Sequence, residues 1–542
     1  MKILLAAVNA KYIHSNPAVY SLKASAGRCR DQVEIAEYTI NQQTDEILGD
    51  LYKKQPDVVA FSCYIWNRRM IGELLQELPK ILPHVRLWAG GPEVSYDARH
   101  FLELYPQVDG IMRGEGEGTF GQLAAYYIEG KERLSEIKGL TYRGEDGTIC
   151  ENAPAPMTDL DCLPFFYGDM TSFRNKIIYY ESSRGCPFRC SYCLSSIEKQ
   201  VRFRSLSLVE QDLTRFLDAK VPQVKFVDRT FNIDPKRTVR LWKWLLEHDN
   251  GVTNFHFEIG ADLITEEELD VMSRMRPGLI QLEIGVQSTN LSTIKQIDRK
   301  MDLGQLKKTV EQIRSFRNIH QHLDLIAGLP EEDLESFHRS FDEVFALRPQ
   351  QLQLGFLKVL KGSGMHQRAK EYGLVFHGEP PYEVLRTNWM SYGDILCLKR
   401  VEEMVEIYYN SHQFEQTLEQ ILKRYESPFD FFCELGVYYE SRGYDRISHS
   451  RMARYEILRE FLGQEYDQCM VYDLYARENL KSRPPFALDL RPYRQKLKAY
   501  EKDYGKQVHV EVFLYEEKPV YVLFDYERRD PLTKEASVEV LH

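Results

Sequence analysis

The sequence predicts an α/β protein in three parts: a doubly wound parallel sheet, a partial parallel barrel of six strand–helix units, and a mainly helical tail closed by a β-hairpin. Three observations predict it. Short, near-continuously apolar runs alternate with helical stretches over the first 130 residues, which is the pattern of parallel strands buried on both faces. A second strand–helix alternation runs from about residue 174 to 370. Beyond residue 371 the alternation stops and apolar residues recur at helical spacing.

In the first part the strands are KILLAAVNA, QVEIAEYTI, DVVAFSCYI, VRLWAGG and VDGIMRG, with helices expected over 43–54 and 68–81. Ligands of such sheets bind beyond the carboxyl ends of the strands. The loops to watch are therefore 9–16, 62–67, 90–95 and 113–118, which carry Asn9, His14, Ser62, Gly90, Gly91 and Glu115. Gly90-Gly91-Pro92 permits close backbone approach, and Ser62 can hydrogen-bond a buried heterocycle. No G-x-G-x-x-G follows the first strand, so a dinucleotide is not favoured. A helix begins near Glu117.

Residues 131–173 are expected to be a linker containing a hairpin-like stretch, GLTYRGEDGTICEN, and a proline-rich run. The barrel strands that follow are KIIYYESS, QVKFVDRTF, NFHFEIGADL, LIQLEIGVQS, HLDLIAGL and QLQLGFLKV. Polar residues recur at their ends, where an apolar core would not take them: Glu258, Glu283, Gln287 and Asp324. A buried carboxylate must be paired or functional, and Arg299 can supply a cation. Such a set can bind an amino acid with a ribose, or it can be a structural ion-pair network.

The most specific feature is GCPFRCSYC. Cys186, Cys190 and Cys193 in C-x3-C-x2-C spacing can hold three irons of a 4Fe-4S cluster and leave the fourth open to a small molecule, whereas an electron carrier closes that position with a fourth cysteine. A zinc site would need a fourth ligand, and Cys150 and Cys162 are not in a CxxC pair. A disulfide framework does not suit a long chain whose start reads as a first buried strand and not as a signal peptide. Cys29, Cys63, Cys397, Cys433 and Cys469 read as ordinary buried thiols.

The cysteine spacing, with Tyr192 before the last cysteine, resembles the cluster loop of the radical S-adenosylmethionine (SAM) enzymes. HFEIGADL, IGVQS with its following arginine, and LDLIAGLPEE resemble the strands of that family, including the anaerobic coproporphyrinogen type. AFSCY, WAGGPEVS and RGEGEGTF resemble the Rossmann-like cobalamin-binding domain that precedes many radical SAM barrels. The resemblance covers about residues 1–370 and implies domains at 1–130 (cobalamin), 131–173 (linker) and 174–370 (barrel); residues 371–542 resemble an uncharacterised domain found after such barrels.

That resemblance implies the cofactors and their contacts. Cys186, Cys190 and Cys193 would ligate the 4Fe-4S cluster. Arg299 would grip the SAM carboxylate, Gln287 and Asp324 its ribose, and Tyr192 would lie by the adenine, with Glu258 a further SAM contact. FVDRTFN stands where a glycine-rich segment often holds the SAM ammonium, which brings in Asp228. The D-x-H-x-x-G motif that gives cobalamin an axial histidine is absent, the chain having NAKYIHSN there, so the lower ligand is open; His14 is one candidate, and a sheet without cofactor is the alternative. The implied reaction is reductive cleavage of SAM and methylation of an unactivated carbon or phosphorus of a small molecule. A non-methylating rearrangement or oxidation with cobalamin as redox partner, and a non-catalytic cluster sensor, are the alternatives. An electron donor such as flavodoxin or ferredoxin would serve it.

Composition sets the remaining bounds. A net charge of −11 argues against broad nucleic-acid binding. No apolar run approaches the ~20 residues that span a bilayer, and reduced thiols with an oxygen-sensitive cluster suit a cytoplasm. A basic run over 483–506 (Arg483, Arg491, Arg494, Lys496, Lys498, Lys502, Lys506) is read as a solvated helix face, with an RNA or acidic-substrate contact as the alternative.

Overall fold

The computed structural model describes residues 1–503 and 507–541, the side chains of 501–503 aside. The chain divides into two compact units. The first comprises 1–274, 295–301 and 357–385; the second comprises 275–294, 302–356 and 386–542.

The first unit opens with β1 (Ile3–Asn9), β2 (Val33–Thr39), β3 (Val58–Ser62), β4 (Arg86–Gly90) and β5 (Gly110–Met112), in the parallel order β2-β1-β3-β4-β5. All seven residues of β1 are buried, so its apolar run has no solvated face to alternate with. Its side chains divide between two cores. Leu4, Ala6 and Val8 pack with Ile47, Leu51, Ile71 and Leu75 from helices Thr44–Lys54 and Arg68–Ile81. Ile3, Leu5 and Ala7 pack with Val19, Phe120 and Leu123 from helices Pro17–Ser25 and Glu117–Glu129. Each fully buried aliphatic contributes roughly 1.5–3 kcal/mol, which holds both helix layers on the sheet.

The expected hairpin of the connecting segment is present, as β6 (Leu140–Arg143) and β7 (Ile149–Glu151). It extends the first sheet: β6 pairs antiparallel with β5, and β7 with β6. This part of the presumed linker is thus a sheet edge, because the apolar side chains of Leu140 and Tyr142 join the core against Trp88 and Phe120.

Three further parallel strands complete the strands of this unit that position chemistry: β8 (Ile178–Tyr180), β9 (Gln223–Phe226) and β10 (Asn254–Ile259), with β9 between its neighbours. Phe226, Phe231, Trp242 and Phe257 pack edge-on and tilted around them. Helix Pro235–Glu247 starts at Asp234, whose carboxylate accepts from the backbone N–H of Lys236 and Arg237.

The second unit contributes β11 (Ile280–Gln287), β12 (His320–Ala327) and β13 (Gln351–Phe356), parallel, with β12 in the middle. Six strand–helix units are therefore present where six were expected, three in each unit. The rest of the second unit is helical up to a terminal sheet. That sheet has three antiparallel strands, β14 (Val508–Tyr515), β15 (Lys518–Arg529) and β16 (Ala536–Leu541), where a two-stranded hairpin was expected. Only the end residues of β16 are buried, so the apolar Val538 and Val540 of ASVEVL stay exposed.

The basic run is not one helix face. Arg483 bonds the fully buried carboxylate of Glu511 at 3.0 Å, Arg491 pairs with Asp489 at 2.6 Å, and Lys496 Nζ lies 4.5 Å from the centroid of Tyr521. The side chains of Lys502 and Lys506 lie outside the described residues.

Candidate functional site

The order β2-β1-β3 makes a topological switch between β1 and β3, and the crevice of such a sheet opens there at the carboxyl ends. A cavity of about 600 Å³ lies at this edge. Ser62 at the end of β3 and Gly90 and Gly91 at the end of β4 line it, as do Tyr64, Tyr96 and Phe166. Gly91 has φ +109°, and a Cβ there would sit 2.5 Å from the carbonyl oxygen of Cys63. Only glycine lets the two strand ends close together at this mouth. A mostly apolar cavity with a few polar groups, set at the switch point, can take part of a large flat cofactor such as cobalamin.

The other residues expected in these loops have prior engagements. Asn9 is buried, and its amide donates to His14 O (3.2 Å) and Glu37 Oε1 (3.0 Å). His14 Nδ1 is 2.7 Å from the Tyr179 hydroxyl. Burial and Lys11 hold its pKa below the usual histidine range. Neither residue is among those lining the cavity. Glu115 does line it, but its carboxylate is used: Thr158 N–H donates at 2.7 Å, Arg184 lies at 3.2 Å, and Arg202 bonds it closely.

Those arginines belong to an ion-pair cluster that spacing could not reveal. Arg184 also meets Glu117 (2.6 Å) and Glu181 (2.9 Å), and Arg202 meets Glu198 (2.6 Å). Glu115 and Glu117 open the helix after β5, whereas Arg184, Glu198 and Arg202 flank the cysteine loop. The cluster therefore ties that loop to the first sheet. Burial pushes the Glu181 carboxyl up to about 7, against the pull of Arg184.

The cysteine loop follows β8 at its carboxyl end. It is pinched at its base: Ser183–Arg184 pairs antiparallel with Arg202–Phe203, and Cys186 N–H donates to Glu198 O at 3.0 Å. Gly185 makes the entry possible. Its φ is +93°, and a Cβ would lie 2.2 Å from Gln200 O. Farther along, Ser191 N–H donates to Ile297 O (2.9 Å) and Ser191 O accepts from Met365 N–H (2.7 Å). Cys186 and Cys190 are buried and Cys193 is half-buried. Burial raises the Cys186 thiol, and Cys190 and Cys193 act on it electrostatically, as thiols gathered for one metal centre do. Three thiols on one short, anchored loop fit a cluster with one open iron.

Arg299 reaches this loop. Its Nη1 donates to the Tyr192 hydroxyl at 3.2 Å and lies 3.7 Å from Cys190 Sγ. Asp228, expected to meet the SAM ammonium, is committed to the backbone corner after β8. It is 1% exposed, accepts from Ser182 N–H (2.9 Å), Ser182 Oγ (2.7 Å) and Ser183 Oγ (2.6 Å), and so shapes the approach to the loop. Glu258 lies on β10, one residue before its end.

Within the second unit, Gln287 ends β11 at a register shift against β12, with φ +71°. Its Oε1 is a buried acceptor without a hydrogen-bond partner, so a ligand hydroxyl fits there. Asp324 Oδ1 is 3.0 Å from His322 Nε2, and Glu283 lies beside them, with the three ligand atoms within 4.8 Å of one another. Among the described residues no helix is long and apolar enough to cross a membrane.

Comparison with known proteins follows this layout. A B12 binding domain model matches residues 3–124, the Radical SAM superfamily model matches 180–344, and a protein of unknown function model (DUF4080) matches 370–524. The chain is 26% identical over 347 residues to the cobalamin-dependent radical SAM methyltransferase TokK of Streptomyces tokunonensis, covering 59% of this chain and 50% of TokK. It is 22% identical over 330 residues to an anaerobic magnesium-protoporphyrin IX monomethyl ester cyclase of Rubrivivax gelatinosus, covering 58% and 59%. It spans about half the length of the first curated relatives it matches. Its fold is that of the cobalamin-dependent SAM radical enzyme OxsB, solved with aqua-cobalamin, at a TM-score of 0.60 and 16% identity over 88% of this chain and 77% of that one. The chain thus carries, in order, stretches that match the B12 binding domain, the Radical SAM superfamily and the DUF4080 models, with the cysteine loop inside the second.

Proposed function

We propose that this protein is a cytoplasmic, cobalamin-dependent radical SAM methyltransferase acting on an unactivated carbon, or a phosphorus, of a small-molecule substrate. The observation that carries the reading is the three-thiol loop held at the end of β8 with Arg299 against it and a cofactor-sized cavity at the neighbouring sheet edge. When bound, the cluster with SAM supplies one-electron chemistry at carbon, and cobalamin supplies a transferable methyl group.

The chain's own share is holding and shielding. Cys186, Cys190 and Cys193 would bind the cluster, and the doubly anchored Ser191 backbone fixes the loop between them. Arg299 would take the SAM carboxylate, its guanidinium already oriented by Tyr192. Gln287 and Asp324 would take the ribose hydroxyls, the unmet Gln287 Oε1 supporting that role, with Glu258 as a further contact. Ser62, Gly90 and Gly91 would face cobalamin and exclude water from it. A flavodoxin or ferredoxin would deliver electrons to the loop. The DUF4080 domain would help select the substrate.

A second reading, non-methylating oxidation or rearrangement, is supported by the similarity to the cyclase of Rubrivivax gelatinosus. Anaerobic reconstitution with iron, sulfide, cobalamin, SAM, a reductant and a metabolite extract separates the two. The methyltransferase should yield S-adenosylhomocysteine together with 5′-deoxyadenosine. Deoxyadenosine without S-adenosylhomocysteine selects the second reading, and neither product rejects both.

A further inference from the structure

The helices Tyr392–Met404 and Pro428–Arg442 pack against each other within the second unit. Their approach is tightest at Gly436, where an added Cβ would lie 2.9 Å from Arg400 Cβ and 3.4 Å from Arg400 O. Three residues before Arg400 stands Cys397, and three residues before Gly436 stands Cys433. Residues three apart share a helix face, so both cysteines turn into the same crossing. Their sulfurs are 3.5 Å apart, and both residues are only half-buried.

We propose that Cys397 and Cys433 form a reversible thiol–disulfide site that staples these two helices, with Cys397 the attacking sulfur. The position of charge supports the assignment of roles. The hydrogen bond shared with Cys433 and the adjoining Arg400 guanidinium lower the Cys397 thiol from the usual cysteine range. The same contact raises the Cys433 thiol. Arg400 is itself steadied by Glu440 at 2.6 Å. The tight crossing at Gly436 keeps the two sulfurs together, so closing the bond needs side-chain rotation and little backbone motion.

The oxidant is a low-molecular-weight disulfide such as oxidised glutathione. The Cys397 thiolate attacks one of its sulfurs, and one glutathione leaves as thiolate. Cys433, giving its proton to solvent, then attacks Cys397 Sγ and expels the second glutathione. Two protein thiols are oxidised, one external disulfide is reduced to two thiols, and two electrons pass. Excess dithiol reverses the sequence. This site is separate from the SAM and cobalamin chemistry and stands whether or not that reading holds.

The test uses the full-length, cluster-loaded protein. It is incubated anaerobically with oxidised glutathione, quenched by alkylation and mapped by peptide mass spectrometry. The expected result is a linked pair of peptides bearing Cys397 and Cys433 that dithiothreitol separates. C433S should stop at a Cys397–glutathione mixed disulfide. In reduced protein at pH 7, Cys397 should alkylate roughly tenfold faster than Cys433, and R400Q should narrow that gap. Wild-type protein decides the matter even where a variant misfolds. Glutathione on Cys397 without the linked pair overturns the proposal. So does faster labelling of Cys433, or protection of both thiols by a bound thiophilic metal that a chelator releases.

Discussion

Replacing Arg299 by methionine tests the SAM-binding geometry most directly. The guanidinium is half-buried, donates to Tyr192 at 3.2 Å and stands 3.7 Å from Cys190 Sγ. Methionine keeps most of the side-chain volume, so packing around the loop should survive. What is lost is one cation beside Cys190 and Tyr192, where it would meet the SAM carboxylate. A hydrogen bond to a charged group contributes about 1.5–3 kcal/mol, which corresponds to a roughly 10- to 150-fold rise in the SAM dissociation constant. Iron and acid-labile sulfide should stay at wild-type levels, because the thiols and the backbone bonds to Ser191 are untouched. The assay is anaerobic titration of the reconstituted protein with SAM, followed by the change in the spectrum of the reduced cluster. Arg299→Lys should fall between the two, since it keeps the charge and loses the planar fork. A SAM affinity within twofold of wild type in R299M, with the cluster intact, refutes the carboxylate grip. Loss of the cluster in R299M would instead make Arg299 a structural support of the loop.

Three other outcomes are expected. Cys190→Ala should bind less iron and lose the four-iron absorbance and SAM cleavage while cobalamin still binds; normal cleavage would overturn the cluster assignment. Gly91→Ala forces a side chain into φ +109° with a 2.5 Å approach to Cys63 O. It should cost about 1–3 kcal/mol and weaken cobalamin retention, read by absorbance after desalting. Unchanged retention would place the cofactor elsewhere. Asp473 is 3% exposed and accepts from Gln416 N, Thr417 N and Thr417 Oγ1, yet burial lifts its carboxyl to about 7. A carboxyl whose pKa is higher folded than unfolded stabilises at low pH, and that stabilisation is lost as pH rises from about 4 through 7. Asp473→Asn should therefore flatten the decline in thermal stability of the C-terminal region between pH 5 and 8, and a decline as steep as in wild type would show that the group is ionised throughout.

Local signals carried most of what the sequence made legible. The seven buried residues of β1 write a continuous apolar run, and helix 68–81 alternates its apolar side with a charged one, so both are visible within their own spans. The cysteine loop is legible for the same reason: three cysteines within eight residues make a recognisable spacing. What escaped depends on partners far along the chain. Asp228 at a strand end looks like a ligand, and only Ser182 and Ser183, some 45 residues earlier, show that its oxygens are occupied. Glu115 lines the cavity, but Arg184 and Arg202, which claim its carboxylate, lie 69 and 87 residues away. Cys397 and Cys433 looked like isolated core thiols because 36 residues separate them, and helix packing alone unites them. The strand Ala536–Leu541 alternates apolar and polar residues over only six positions, and its pairing with β15 is what sets it as the third strand of the sheet.

The anchoring of Ser191 sets the order in which this protein can be made. Its N–H is held by Ile297 and its carbonyl by Met365, so the cysteines emerge from a ribosome long before both of their braces exist. About 175 residues separate Cys190 from Met365, and at roughly 5–20 residues per second the wait is about 9–35 s. Through that interval the three thiols lie on an unfinished loop, able to react with any metal or oxidant they meet. A cluster held by these thiols would gain both braces on its loop only after Met365 has been made.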